Sequence, residues 1–462
     1  MKAGKPISQH PENPHYFEFK GKPTIIITSG EHYGAVLNLD FDYVSYLNTL
    51  EKEGLNGTRL CSGANPEYQG WYNIRENTWA PEPGRYACPW ERSDIPGYFN
   101  GGNKFDLTKF DISYFRRLKD FMTEAAKRDI IVELFFFTAI YNDSLWEYNP
   151  MKGSNNINGI GNVSREMAYN PYDSLLIGVQ KALVKEIVTE LNEFDNLIYE
   201  VANEPYWNRF ISEAWQDTII KTILETEAAL PKKHLISQNV NNYYTKVTDP
   251  NPGTGVFNFH YANQSNAYLH NLDLLSILGC NETGFSQADS QYRREAYVCM
   301  LSGGAYFNHL DYSFTVKDPT GLNVPQGNPG GGGPLIRKQL KILKDFMESF
   351  DFLSMKPDHS IITEILPQGT QGYVLCEEGK QYAVFIRGGN KSILKLSVPP
   401  GAYDFFWLDT RTGAIIKSGS IISKNENVVL TSPDYSEDIA LKIFKPKLLS
   451  GLPDFNIHGL SI

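Results

Sequence analysis

Short runs of β-branched and aromatic residues alternate with amphipathic stretches from about residue 25 onward, the pattern of βα units built around a parallel sheet. Eight runs read as strands: residues 25–28, 57–61, 130–137, 197–202, 235–238, 256–260, 275–280 and 305–310. Helical periodicity fills most of the gaps, at 42–52, 113–128, 175–193, 211–229 and 290–301, with 335–350 after the eighth run. Only thin helical candidates, such as 265–271, follow the fifth and sixth runs. Eight strands with intervening helices predict an α/β fold of the (β/α)8 TIM barrel type. An open sheet would be expected to carry a glycine-rich nucleotide fingerprint after its first strand, and none is present.

Past Phe350 the pattern changes. Strand-length segments at 372–376, 382–386, 394–398, 403–408, 415–417, 428–430 and 439–444 follow one another at hairpin spacing without helices. The expected organisation is a catalytic barrel over residues 1–353 and a small all-β antiparallel sandwich over 354–462, with a short tail from Lys445. Four glycines at 330–333, between Pro329 and Pro334, read as a loop before the last barrel helix. In the sandwich, Trp407 is either core or a sugar platform.

Composition narrows the partners. Lys and Arg number 43 against 53 Asp and Glu, a net charge of −10, and no basic run is present to hold a phosphate backbone, so nucleic acid is not an expected partner. The longest apolar stretch, 130–140, is interrupted by Glu133 and falls short of the roughly 20 residues a membrane span needs. Five cysteines without a CxxC pair suggest buried free thiols, not a disulfide framework or a zinc site. The first residues contain no apolar segment of the signal-peptide kind. Compartment is left open, with a secreted or periplasmic protein whose signal has been removed preferred over a cytoplasmic one.

In a barrel of this type the chemistry lies where strands end at their carboxyl side. The fourth run ends in Asn203-Glu204-Pro205 and the seventh in Asn281-Glu282, which would set two glutamates facing each other across the barrel mouth. Such a pair suits glycosidic-bond cleavage: one carboxyl protonates the leaving oxygen while the other, about 5 Å away, attacks the anomeric carbon. Glu31 and Glu133 compete as acids. Glu133 lies inside an apolar run, and Glu31, next to His32 after the first strand, is better suited to binding sugar hydroxyls.

With Asn203-Glu204-Pro205 and Glu282 in these places, the barrel resembles the clan A retaining glycoside hydrolases. Within them it looks most like glycoside hydrolase family 5, the cellulase-like family, over roughly residues 12 to 352. The resemblance implies that Glu204 is the acid/base and Glu282 the nucleophile, and that Asn203 binds the 2-hydroxyl of the cleaved sugar. It further implies that Arg59 keeps the nucleophile ionised and that His260 and Tyr261 lie near it. The family spaces that histidine and tyrosine two apart; here they are adjacent, and on a regular strand they would face opposite sides. The third run lacks the family's histidine. The eighth offers His309 and Asp311 in place of a tryptophan, either as substrate contacts or as structural hydrogen bonds. No cofactor is implied.

The aromatic share has an address in the chain. Residues 62–110 form a long excursion carrying Tyr68, Trp71, Tyr72, Trp79, Tyr86, Trp90, Tyr98 and Phe99; Tyr141, Trp146, Tyr148, Tyr169 and Tyr172 follow the third run, and Tyr206 and Trp207 follow the fourth. As a group they predict an aromatic wall around a carbohydrate substrate, a β-linked oligo- or polysaccharide, with Trp71 and Trp207 as stacking candidates. Two other readings stay open: a non-catalytic carbohydrate-binding barrel, and a metal-dependent barrel hydrolase. The second is the weaker, with nine histidines and no HxH after the first strand.

Overall fold

A computed structural model of the chain describes residues 4–205, 211–424 and 427–446. Eight strands form one parallel sheet: β1 (Ile26–Gly30), β2 (Gly57–Cys61), β3 (Ile131–Thr138), β4 (Leu197–Asn203), β5 (Leu235–Val240), β6 (Val256–Phe259), β7 (Ile277–Cys280) and β8 (Tyr306–Leu310). Their order around the sheet is β1-β8-β7-β6-β5-β4-β3-β2, each pair parallel. This is a (β/α)8 barrel. Every residue of β1 to β4 is buried, as expected of strands with helices outside and a packed interior within.

Where β1 and β2 meet, side chains supply the connections. The Asn56 amide accepts from the Ile27 N–H at 3.1 Å and donates to the Ile25 carbonyl at 2.8 Å. Thr28 Oγ1 donates to the Gly57 carbonyl at 2.5 Å. Glycine is required at 57, since a Cβ there would come within 2.6 Å of Ile26 Cγ2.

The outer helices begin where short polar residues can cap them. Asp42, Asp111 and Asp173 each accept two backbone N–H groups at the start of Tyr43–Lys52, Ile112–Lys127 and Ser174–Leu191. Glu213–Ala228 opens on Ser212, and Pro334 occupies the first turn of Pro334–Glu348. Among the described residues no helix lies between β5 and β6, and the one after β6, Gln264–Leu269, is short.

Around the barrel the structure adds elements that the pattern did not predict, among them the short helix Asp143–Tyr148. A three-stranded antiparallel sheet (Ser8–Gln9, Phe17–Phe19, Lys22–Thr24) precedes β1. The 62–110 excursion contains a hairpin, Trp90–Pro96 with Asn103–Phe110, instead of being loop throughout.

Two compact units divide at Pro357, with residues 410–413 grouped with the first. In the second, five antiparallel strands run in the order Gln371–Glu377, Gln381–Arg387, Asp438–Phe444, Gly401–Leu408, Ile415–Ser423. A three-stranded sheet of Ile362–Leu366, Ile393–Leu396 and Val428–Thr431 completes it, the first of these strands being unforeseen. In Ile393–Leu396 and Val428–Thr431 burial alternates residue by residue, and Leu394, Leu396, Val428 and Leu430 enter one core with Val384, Leu441 and Trp407. Trp407 is fully buried, so it is core and not a sugar platform.

Candidate active site

The parallel register brings the carboxyl ends of all eight strands to one rim. At the end of β4, Asn203 is the last strand residue and Glu204 turns into the left-handed region with φ +48°, its N–H held by Asn239 Oδ1 at 2.9 Å. A glutamate pays for that conformation with strain, which the Asn239 contact helps to impose. On β7 the chain passes through Cys280 and Asn281 to Glu282. One carboxylate oxygen of Glu204, one of Glu282 and a ring nitrogen of His260 all lie within 4.8 Å of one another. Among the described residues this is also the trio whose donor atoms could close on a single cation.

Glu282 is gripped from three sides. Arg59 Nη1 donates to Oε2 at 3.1 Å, the Tyr33 hydroxyl to the same oxygen at 2.8 Å and the Tyr261 hydroxyl to Oε1 at 2.7 Å. Three donors on two oxygens fix the orientation of this carboxyl in the barrel mouth. Arg59 is fully buried and gives its closest contacts to another residue: Nε and Nη2 hold Glu200 at 2.8 and 2.5 Å, and Nη2 also reaches Asn203 Oδ1 at 2.7 Å. Burial acts to discharge the guanidinium, but the charge and hydrogen bonds of Glu200 together with the charges of Tyr33 and Glu282 outweigh it and hold the pKa well above the ordinary value.

Glu204 accepts from the Tyr141 hydroxyl at 2.7 Å on Oε2 and from Asn242 Nδ2 at 2.7 Å on Oε1. His260 Nδ1 lies 3.3 Å from the same Oε1. The tautomer follows from the neighbours. Asn281 Nδ2 donates to two carboxylates, Glu133 at 2.7 Å and Glu200 at 2.9 Å, so its Oδ1 faces His260 Nε2 at 2.6 Å and must accept from it. Nε2 therefore carries a proton, and a further proton is shared between Nδ1 and Glu204. Burial would lower His260, yet the charges of Glu282 and Glu204 raise it; burial would raise Glu204, yet the hydrogen bond and charge of His260 lower it.

His260 and Tyr261 both face the glutamates, which corrects the expectation that adjacent residues would point apart. Tyr261 lies just beyond β6 with φ +52°, and this left-handed residue breaks the strand alternation. The expected contact of Glu31 with sugar hydroxyls is also corrected. Its buried carboxylate accepts from the N–H groups of Gly34 and Ala35, both at 3.1 Å, and from the Thr78 hydroxyl, and burial pushes its pKa up to about 7. His309 and Asp311 are fully buried. Asp311 binds Arg337 at 2.8 Å, the Ser313 hydroxyl at 2.6 Å and the Gly333 N–H at 3.0 Å, while His309 Nδ1 meets Ser29 Oγ at 2.8 Å, a structural network under the β8 loop.

The aromatic wall is narrower than expected. Trp79, Trp90, Trp146, Tyr86, Tyr98 and Tyr169 are buried, because a 49-residue excursion (62–110) and the loop after β3 need cores of their own. The rings around the glutamates are Trp71, stacked near Tyr141 at 6.1 Å, then Tyr72, Phe285 and Tyr261, linked at 5.8 and 5.4 Å. Tyr206 and Trp207 lie outside the described residues. Sequence reasoning missed Tyr33, Asn239, Asn242 and Glu200, and it placed Tyr141 in the aromatic wall without its hydrogen bond to Glu204. Of the missed residues only Glu200 carried a signal, as an acid inside an apolar strand.

No family model matches the chain, and no curated protein matches it. Among solved structures, one described as a glycoside hydrolase superposes with a TM-score of 0.66 at 15% identity, covering 96% of this chain and 97% of its own. A glycoside hydrolase family 5 structure from Bacteroides vulgatus ATCC 8482 superposes with a TM-score of 0.64, also at 15% identity, covering 98% and 97%. The chain shares the fold of these glycoside hydrolases over nearly its whole length.

Proposed function

We propose that the protein is a retaining β-glycoside hydrolase acting on a β-linked oligo- or polysaccharide, with Glu282 as nucleophile and Glu204 as acid/base. The observation that carries this reading is the separation of the two glutamates: with one oxygen of each within 4.8 Å of the other, they fit the roughly 5–5.5 Å carboxyl spacing of retaining enzymes better than the roughly 6.5–9.5 Å of inverting ones. The fold shared with glycoside hydrolases supports it.

In the first step a Glu282 oxygen attacks the anomeric carbon, the bond to the leaving oxygen breaks, and that oxygen takes the proton shared by Glu204 and His260. In the second, water attacks the same carbon, its proton returns to Glu204, and Glu282 leaves with its electron pair. Asn203 is held with its Nδ2 3.1 Å from Thr138 Oγ1 and from the Tyr141 hydroxyl, beside Glu204, where it can meet the 2-hydroxyl of the sugar. Arg59, Tyr33 and Tyr261 hold Glu282 oriented through their hydrogen bonds.

A screen of aryl β-glycosides with product anomers read by NMR tests the reading, and retention of configuration is expected. Glu282→Gln and Glu204→Gln should each lower kcat by about 10²–10⁴-fold or more on natural linkages. An activated 2-fluoro glycoside should label Glu282. Inversion of configuration, or full activity in both variants, would sink the proposal.

A further inference from the structure

Glu67, His32 and Tyr312 converge beside Glu282, and the double displacement uses none of them. Three separate loops deliver them: His32 follows β1, Glu67 follows β2 and Tyr312 follows β8. His32 Nε2 lies 3.6 Å from Glu67 Oε2, and the His32 ring meets Tyr312 edge-on with centroids 6.3 Å apart. None of the three is more than 8% exposed. Two of their polar atoms, His32 Nδ1 and the Tyr312 hydroxyl, are buried without a hydrogen-bond partner. Both feel the charge of Glu282, and Tyr312 also those of Glu67 and Glu204, which sets the unpartnered atoms within electrostatic range of the reacting carboxylates. Buried polar groups are nearly always satisfied, so these two unpartnered atoms are available to hydrogen-bond a ligand.

We propose, on the basis of the glycosidase reading above, that Glu67, His32 and Tyr312 form the specificity pocket for the hydroxyl groups of an uncharged pyranose, the unit that Glu282 attacks. The chemistry of the three groups selects that class. Burial pushes Glu67 up to about 8, with Glu282 and Glu204 adding to the shift against the Asn77 hydrogen bond, and burial pushes His32 down to about 4. At neutral pH the pocket therefore offers a carboxylic acid, a neutral imidazole and a phenol, a donor and acceptor set that matches hydroxyls. A uronate would bring a further carboxylate into a site already crowded with the carboxyl groups of Glu67, Glu204 and Glu282. Arg59, the guanidinium on the pair, is already committed to Glu200, Asn203 and Glu282.

The test is the kinetics of Glu67→Gln and Tyr312→Phe on 4-nitrophenyl β-glycosides of glucose, mannose and galactose and on their monodeoxy analogues. On the sugar the wild type prefers, each variant should lose about 10–100-fold in kcat/KM, the effect of one removed hydrogen bond to a substrate hydroxyl. On the analogue lacking the contacted hydroxyl the loss should shrink to less than about threefold, because the partner is already gone. A purely structural role would depress parent and analogue equally, and that result, or no loss at all, overturns the assignment. So does a wild-type preference for the 4-nitrophenyl β-glucuronide or β-glucosaminide over the neutral sugars. Wild-type protein that hydrolyses nothing and takes no 2-fluoro label removes the glycosidase reading itself, and the pocket with it. Tyr312→Phe preserves ring volume, so it reports even if Glu67→Gln folds poorly.

Discussion

His260 and Glu204 hold one proton between them, and two sites bind a proton more tightly than either does alone. The alkaline limb of kcat/KM should therefore lie above the ordinary histidine value of 6.5, since His260 is raised, and activity should fall as pH rises through it. In His260→Asn the proton has only Glu204 to occupy, so the limb should move to lower pH, read from a full pH profile of kcat/KM. An unmoved limb would separate His260 from the acid/base. The residues of this site were unevenly legible. Glu204 and Glu282 stand out because Asn-Glu ends two apolar runs, and Arg59 entered only through the family resemblance. Tyr33 and Asn242 did not stand out, since each lies on a loop past a strand end. There no period of 2 or 3.6 applies, and backbones such as Tyr33, with φ +58°, decide where a side chain points.

The β1/β2 seam shows an element held by single side chains. Asn56→Ala would strip two hydrogen bonds from the backbone of β1 and leave its groups facing the seam unpaired, so a loss of about 1–3 kcal/mol in unfolding free energy is expected from denaturant titration. A change under about 0.5 kcal/mol would mean that the seam does not depend on Asn56. Barrel strands were legible to within a residue or two because their runs are rich in β-branched and aromatic residues and set off by helical stretches. The hairpin in 62–110 was not. Trp90–Pro96 carries Glu91, Arg92 and Asp94, ends in proline and is buried only at Trp90, so neither alternation nor an apolar run marks it as a strand. The same excursion supplied aromatics that composition alone could not sort between wall and core.

At the scale of the whole molecule, the acid excess of the sequence extends into the interior. Glu31, Glu67 and Glu133 are buried in the barrel, and burial raises them to about 7, 8 and 7 from an ordinary 4.5. Each binds its proton more tightly folded than unfolded, so each stabilises the fold fully below about 4.5 and loses that contribution as pH rises through 7 to 8. His32 and His309, lowered to about 4 by burial, act in the opposite direction, but only below the ordinary histidine value of 6.5, where the unfolded chain takes up protons that the fold refuses. Between pH 6.5 and 8 the carboxyls therefore act without that opposition, and Tm measured by calorimetry should fall steadily across this window. Glu67→Gln, which keeps the shape of the side chain and removes its proton, should flatten the slope by its share. A wild-type Tm that holds level or rises from pH 6.5 to 8 would mean that these carboxyls are already ionised in the fold. The neutral pocket beside Glu282 would then have to be given up as well.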